Sequence, residues 1–295
     1  MIHLGMLLSA VAFHGPLRTS VSHVPTARMS AGPSAAKSEL LAAIAAYNEV
    51  VAVDGVPSVD FGVSGGELDG DTRAPRDLLR AGAFAAVSSR VGEAADRVVA
   101  AVESLAAVNP TPEPTKGFGS KQGAETCLLH GRWYNAWTTA ADATFSADSK
   151  RGDAAVSNEV DAKRGKFMNI IEFLPRSHPA FAATRSPPKP PPLASLNVRL
   201  SAKAVSPSRI ELVFRYVKPR LNVKVLGKRR QLPLLIPVPG PFITRILFLF
   251  RPKKKQPAAY FDVLYLDADL RVHRTGQGNL FVQQRQPIKT VPAYE

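Results

Sequence analysis

Few residues of this chain carry chemistry at a recognisable spacing. Gly62-Val63-Ser64-Gly65-Gly66 has the pattern of a nucleophile elbow, in which a serine on a tight strand-to-helix turn attacks an ester or amide. That turn needs a buried strand before it and a helix directly after it. Here Gly55 and Pro57 interrupt the preceding residues, and Glu67-Leu68-Asp69-Gly70-Asp71 follow. No strand–helix alternation comes downstream, so a serine hydrolase is not expected. Glu67, Asp69 and Asp71 lack the spacing of a calcium loop and read as a solvated loop. The six His are scattered and Cys127 is alone, which excludes an internal disulfide and leaves no zinc spacing. Asp267, Asp269 and His273 are the remaining cluster able to move a proton, and they fit a hairpin better than an acid–base pair. No catalytic residue, metal or cofactor is expected.

The elements that position these residues are mostly strands. An apolar run from Tyr260 to Leu266 meets an Asp-rich turn, a short strand passes through Val272, and Gly276 and Gly278 open the way to a last strand. Asp267 and Asp269 opposite Arg271 and Arg274 would pin its register by charge. From Leu129 onward the texture is that of strands. Gly131, Trp133, Asn135 and Trp137 fall on one face by period two, and Lys166–Phe173 is a second strand. Leu196 to Ala204 alternates strictly, Ile210 to Tyr216 follows a Ser-Pro-Ser turn, and Pro219 separates that strand from Leu221–Val225. With Ile243–Phe250, about nine sequential strands without interleaved helices predict an antiparallel meander closing as a barrel. Its interior could hold one small ligand, with Trp133, Trp137, Phe214 and Tyr216 as candidate lining residues.

Upstream the pattern is helical. Leu40, Leu41, Ile44, Tyr47 and Val51 recur at helical spacing, and Val91, Ala94, Ala95, Val98, Val99, Val102 and Leu105 form one apolar stripe ended by Pro110, Pro112 and Pro114. Residues 1–30 are set apart. A short apolar run with Ala10-Val11-Ala12, then an Arg-, Ser- and Thr-bearing segment without acids from Phe13, read as a signal peptide plus a transit peptide. The alternative is a plain secretory signal. The expected organisation is therefore a targeting segment over 1–30, a helical region over 31–115 and a β domain over 116–295.

Charge is uneven. From Lys163 onward the chain carries 25 Lys and Arg against 6 Asp and Glu, whereas the earlier residues are net acidic, in a chain of formal charge +14. Lys228, Arg229 and Arg230 on one side, and Arg251, Lys253, Lys254 and Lys255 on the other, flank the apolar stretch Leu232–Phe250. Pro233, Pro237, Pro239 and Pro241 rule out a spanning helix there. An apolar stretch between basic clusters suits contact with an anionic lipid surface. A solvated face is the bland alternative. Nucleic acid is not expected, because no RNP-like strand, zinc finger or aromatic-interleaved basic helix accompanies the charge. Arg185-Ser186-Pro187-Pro188-Lys189-Pro190-Pro191-Pro192 fits an SH3-ligand pattern but reads as a stiff linker between strands.

Three blocks in order carry a family resemblance. Asn109-Pro110-Thr111-Pro112 precedes Leu129-His130-Gly131-Arg132-Trp133-Tyr134 with Thr138-Thr139. Gly165-Lys166-Phe167-Met168-Asn169-Ile170-Ile171-Glu172-Phe173 follows, and Tyr265-Leu266-Asp267-Ala268-Asp269-Leu270-Arg271-Val272 leads into Gly278-Asn279-Leu280-Phe281-Val282. Together they resemble the plastid lipid-associated proteins, or plastid fibrillins, over roughly residues 85 to 285. The Gly-x-Trp opening of the first strand also resembles that of lipocalins. The resemblance implies a mainly β fold, an antiparallel lipocalin-like β-barrel preceded by a small α-helical N-terminal region. It implies association with thylakoid membranes or plastoglobules, and residues 1–30, a signal peptide followed by a Phe-led transit peptide, separately resemble the bipartite plastid presequence of algae with secondary plastids. The family resemblance also implies binding of lipids or isoprenoids such as quinones, carotenoids or fatty acids, as coat or carrier. The matching positions are Asn109, Pro110, Gly131, Trp133, Tyr265, Asp267, Asp269, Arg271 and Gly278, carried over as fold or pocket positions. A barrel enzyme acting on a lipophilic molecule is the alternative.

Overall fold

The computed structural model describes residues 32–55, 84–140, 154–174, 191–237 and 259–287. The targeting segment, the Gly62–Gly66 and acidic loop, the Pro-rich run of 185–190, Ile243–Phe250, Arg251 and Lys253–Lys255 lie outside the described residues.

Two long helices come first. α1 (Pro33–Asp54) starts with proline in its first turn, where a missing N–H is harmless, and buries Ala36, Leu40, Ile44 and Tyr47. α2 (Ser89–Ala106) is capped by Ser88, whose hydroxyl accepts from the Val91 amide at 3.1 Å, and it buries the whole predicted stripe from Val91 to Leu105. A one-turn helix, α3 (Gly123–Thr126), leads into the sheet.

The sheet has ten strands: β1 (Gly131–Thr138), β2 (Ala154–Asp161), β3 (Lys166–Phe173), β4 (Leu193–Ala204), β5 (Arg209–Val225), β6 (Lys228–Pro233), β7 (Ile236–Pro237), β8 (Ala259–Leu266), β9 (Leu270–Thr275) and β10 (Leu280–Gln284). All described pairings are antiparallel. The order β4-β3-β2-β1-β10-β9-β8-β5, with β4 also paired to β5, closes the sheet in a ring. The long strand β5 makes closure possible. Its first residues, Arg209–Leu212, pair with β8, while its last ten, from Tyr216 to Val225, carry β7 and β6 outside the ring. Pro219 does not divide it, contrary to the sequence expectation. A proline lacks only the N–H, and the Pro219 carbonyl still accepts from the Leu234 amide at 2.9 Å.

The two faces of the ring bury different things. Outside, α1, α2 and Phe84 cover Trp137, Tyr265, Leu270, Val272, Leu280 and Val282. Inside, Trp133, Phe167, Leu200, Ile210, Phe261, Val263 and Leu266 form a second core, and Ala154, Ile171 and Phe173 a third. Three bulges decide which residues face which way. In β1 the register shifts between Asn135 and Trp137, so Asn135 opposes Gln283 while Trp137 opposes outward-facing Val282. Trp137 is therefore not a lining residue; it stacks on Phe84 and meets Tyr47 edge-on. In β5 a shift pairs Phe214 with inward Leu200 but Tyr216 with Arg199 on the outer face, which removes Tyr216 from the interior. In β8 a shift turns Leu264 and Tyr265 outward and Leu266 in.

The linker after α2 is tied to the sheet by Asn109. Its Oδ1 accepts from the Thr111 amide (3.1 Å) and from the Leu266 amide (3.0 Å), and its Nδ2 donates to the Thr111 carbonyl (2.8 Å). Pro110 beside it is exposed. Asn109→Ala leaves these groups without partners, so unfolding in urea should show stability lower by about 1–3 kcal/mol with an unchanged denaturant slope.

Candidate functional site

One end of the ring is shut by a stack of groups that begins at a glycine. Gly131 sits at φ 111, and a Cβ there would lie 2.5 Å from Nη1 of Arg285. With no side chain in the way, the Arg285 guanidinium lies 3.7 Å from the centroid of the Trp133 ring and donates to the His130 and Leu128 carbonyls, both at 2.6 Å. Trp133 is fully buried, and its indole N–H donates to the Leu129 carbonyl at 2.9 Å. The Gly-x-Trp spacing is thus a seat for an arginine supplied just after β10. Arg285 carried no signal in the sequence.

Beyond Trp133 the interior turns polar. Residues opposed across an antiparallel ladder share a face, and the registers Trp133↔Asn158↔Asn169 and Asn135↔Gln283↔Arg271 place all six on the inner face. Arg271 is 0% exposed. Its Nε donates to Gln283 Oε1 at 2.8 Å, and its Nη2 donates to Asn158 Oδ1 at 2.7 Å and also to Gln283 Oε1. Gln283 Nε2 donates to Asn158 Oδ1 at 2.7 Å, and Asn158 Nδ2 to Asn169 Oδ1 at 2.9 Å. The guanidinium also lies over the Trp133 and Phe167 rings, at 5.3 and 5.9 Å. Every hydrogen-bond partner is neutral. Burial, and then the like charge of Arg285, push the Arg271 pKa down to about 9. It remains a cation at neutral pH.

His273, two residues along the same face, lies between the rings of Phe261 (4.8 Å) and Phe281 (5.0 Å, parallel). Burial, and then the charge of Arg271, hold its pKa well below the ordinary histidine value, so it is neutral. It has no carboxylate beside it to make an acid–base pair.

The carboxylates of the hairpin point elsewhere. Asp267 Oδ1 accepts from the amides of Asp269 and Leu270, both at 2.7 Å, and Oδ2 accepts from the Tyr265 hydroxyl and from Lys37, both at 2.8 Å. Burial alone would raise this carboxyl; Lys37 and the other donors hold it below the usual range. Asp269 is exposed and 3.6 Å from Lys37. The expected pairing of these acids with Arg271 and Arg274 does not occur, because Arg271 turns inward and Arg274 lies exposed on the opposite face. Gly278, at φ 87, makes the β9–β10 turn.

The other predicted positions are dispersed. Phe214 faces the ring but is 37% exposed. Lys228, Arg229 and Arg230 lie on β6, exposed throughout, beside exposed Leu226, Leu232, Leu234 and Leu235. A shallow groove of about 430 Å³ near the β4–β5 turn includes Arg209 and Asp262, which bind each other at 2.7 and 2.9 Å. Among the described residues no group of His, Cys, Asp and Glu could hold a metal ion, and no helix is long and apolar enough to cross a membrane.

These features define a class: a closed antiparallel sheet with an arginine-sealed end, a charged polar layer inside and helices packed outside. The PAP_fibrillin family model matches residues 84–284, from Phe84 to the last strand. The chain belongs to that family, the plastid lipid-associated proteins. No curated protein and no solved structure matches it.

The neutral state of His273 has a pH consequence. Its folded pKa is depressed, so below about pH 6.5 the unfolded chain binds more protons and stability falls as pH drops. Asp267, depressed as well, adds a further loss only below the ordinary carboxylate range. Chemical denaturation between pH 7 and 5 should show declining stability in the parent chain, and His273→Phe should remove that upper arm while leaving the more acidic one.

Proposed function

We propose that this chain is a peripheral plastid protein that binds lipids or isoprenoids at thylakoid membranes or plastoglobules, with its ring acting as a lipocalin-like barrel for a lipophilic molecule. The observation that carries the reading is the PAP_fibrillin match coinciding with the closed ring and its inner face. Apolar residues on both sides of the polar layer suit an amphiphile. A structural coat is the second reading, favoured by the β5–β6 hairpin. Leu226 at its tip is 97% exposed, next to Lys224, Lys228, Arg229 and Arg230, and each cation near an anionic surface adds on the order of 1 kcal/mol. The reading assigns no catalytic role, in keeping with the neutral histidine and the hairpin-bound carboxylates. Residues 31–295, incubated with a plastid lipid extract and analysed by native mass spectrometry, should retain one lipophilic molecule per chain. Retention of none, with salt-sensitive cosedimentation on phosphatidylglycerol-containing liposomes, would overturn the carrier in favour of the coat. Reversing Lys228, Arg229 and Arg230 to Glu should abolish cosedimentation; unchanged cosedimentation would remove the hairpin as the anchor.

A further inference from the structure

Five buried side-chain nitrogen or oxygen atoms among the described residues have no hydrogen-bond partner, and three of them lie on the inner face of the ring, on two strands that flank β10. They are Asn135 Oδ1 on β1, and Arg271 Nη1 and His273 Nδ1 on β9. β10 runs between these strands, and its Gln283 opposes Asn135 on one side and Arg271 on the other. Folded interiors leave few such atoms, because each costs about 1–3 kcal/mol when unsatisfied. Three around one buried cation form a place to which a polar group can bind with little competition from the protein itself.

The sign of that group follows from the charge. None of the inner-facing positions of the described ring strands is Asp or Glu. The hydrogen-bond partners of Arg271 are the amides of Gln283 and Asn158, and the charge that acts on it is that of Arg285, of the same sign. A buried cation without a counterion is costly, and an anion brought in by a ligand would relieve that cost.

The neighbours fit an oxyanion. Arg271 Nη1 is a donor with no acceptor. Neutral His273 can carry its proton on Nδ1, and the Asn135 amide can turn to present its N–H₂ in place of its oxygen. The apolar surroundings give the rest of the ligand a direction. On the Trp133 side the interior is filled by Phe167, Leu129 and Leu266 and sealed by Arg285. On the other side, beyond Asn158 and Asn169 along β2 and β3, lie Val156, Ala154, Ile171 and Phe173 with Leu196 of β4. A head on the polar layer would send its tail that way.

We propose that the layer formed by Asn135, Arg271 and His273 binds the carboxylate head of a long-chain amphiphile, a fatty acid being the simplest, with its chain against Val156, Ile171 and Phe173. The inference rests on the lipid-binding reading above and names the class of ligand for it. A carboxylate accepts charge-assisted hydrogen bonds that an ester or alcohol of the same chain does not.

The test compares oleic acid, methyl oleate and oleyl alcohol on the full chain, by native mass spectrometry and by displacement of a fluorescent fatty acid. One oleate per chain is expected, bound roughly tenfold or more tightly than the ester or the alcohol. Arg271→Met should remove the preference, bringing the acid to the level of the alcohol; an acid preference that survives in the variant would overturn Arg271 as the anion's partner. Equal binding of acid and alcohol by the parent chain would overturn the anion site and leave the lipid-binding reading standing. Retention of none of the three, nor of anything from a plastid lipid extract, would overturn both. Acetate or inorganic phosphate raising the melting temperature as much as oleate would assign the layer to a free anion and overturn the amphiphile. The comparison within the parent chain does not depend on the variant folding.

Discussion

A full positive charge held inside a closed sheet, with no carboxylate beside it, is the constraint around which this molecule is arranged. Arg271 can be tolerated there only if neutral acceptors are held at fixed positions on neighbouring strands, and Gln283 on β10 and Asn158 on β2 provide them. Asn169 on β3 extends the chain of amides. Four strands thus share one hydrogen-bonded polar network, with Asn135 of β1 beside it, and a one-residue slip in any of them would turn its polar side chain outward. The bulges of β1 and β8 let those strands keep Asn135, and apolar Val263 and Leu266, facing inward while presenting Trp137 and Tyr265 to the helices.

The two ends of the ring are unlike. At the Trp133 end, Gly131, Arg285 and two backbone carbonyls make a seal of on the order of 1–2 kcal/mol in cation–π attraction, with hydrogen bonds besides. Its guanidinium also depresses the basicity of Arg271. On the outer face the helices are anchored to the same hairpin that supplies Arg271: Lys37 of α1 binds Asp267, and Asn109 binds the Leu266 backbone. The family's hairpin residues therefore divide by direction. Asp267 and Tyr265 hold the helical layer, and Arg271 serves the interior.

Much of this was legible in the sequence. The apolar stripe of α2 follows from periodicity, and the strand Lys166–Phe173 and the β8–β9 hairpin from apolar runs, the hairpin's meeting an Asp-rich turn. Period two failed at bulges, which added a residue to β1 and β5 and sent Trp137 and Tyr216 to the wrong face. It failed also at β2, which has no sequence signature as a strand. Its inward row, Ala154, Val156, Asn158 and Val160, is interrupted by the asparagine that the site requires. The residue that joins the buried polar network is the one that erases the strand's signature. Arg285 was illegible for a different reason, since its role depends on the empty space above Gly131 more than a hundred residues away.

The most direct measurement is a crystal structure of the chain with oleate bound. The account predicts a carboxylate oxygen within hydrogen-bond distance of Arg271 Nη1, in reach of His273 and Asn135, with the acyl chain running toward Ile171 and Phe173. Oleate bound outside the ring, with a protein carboxylate or ordered water satisfying Arg271 instead, would contradict it.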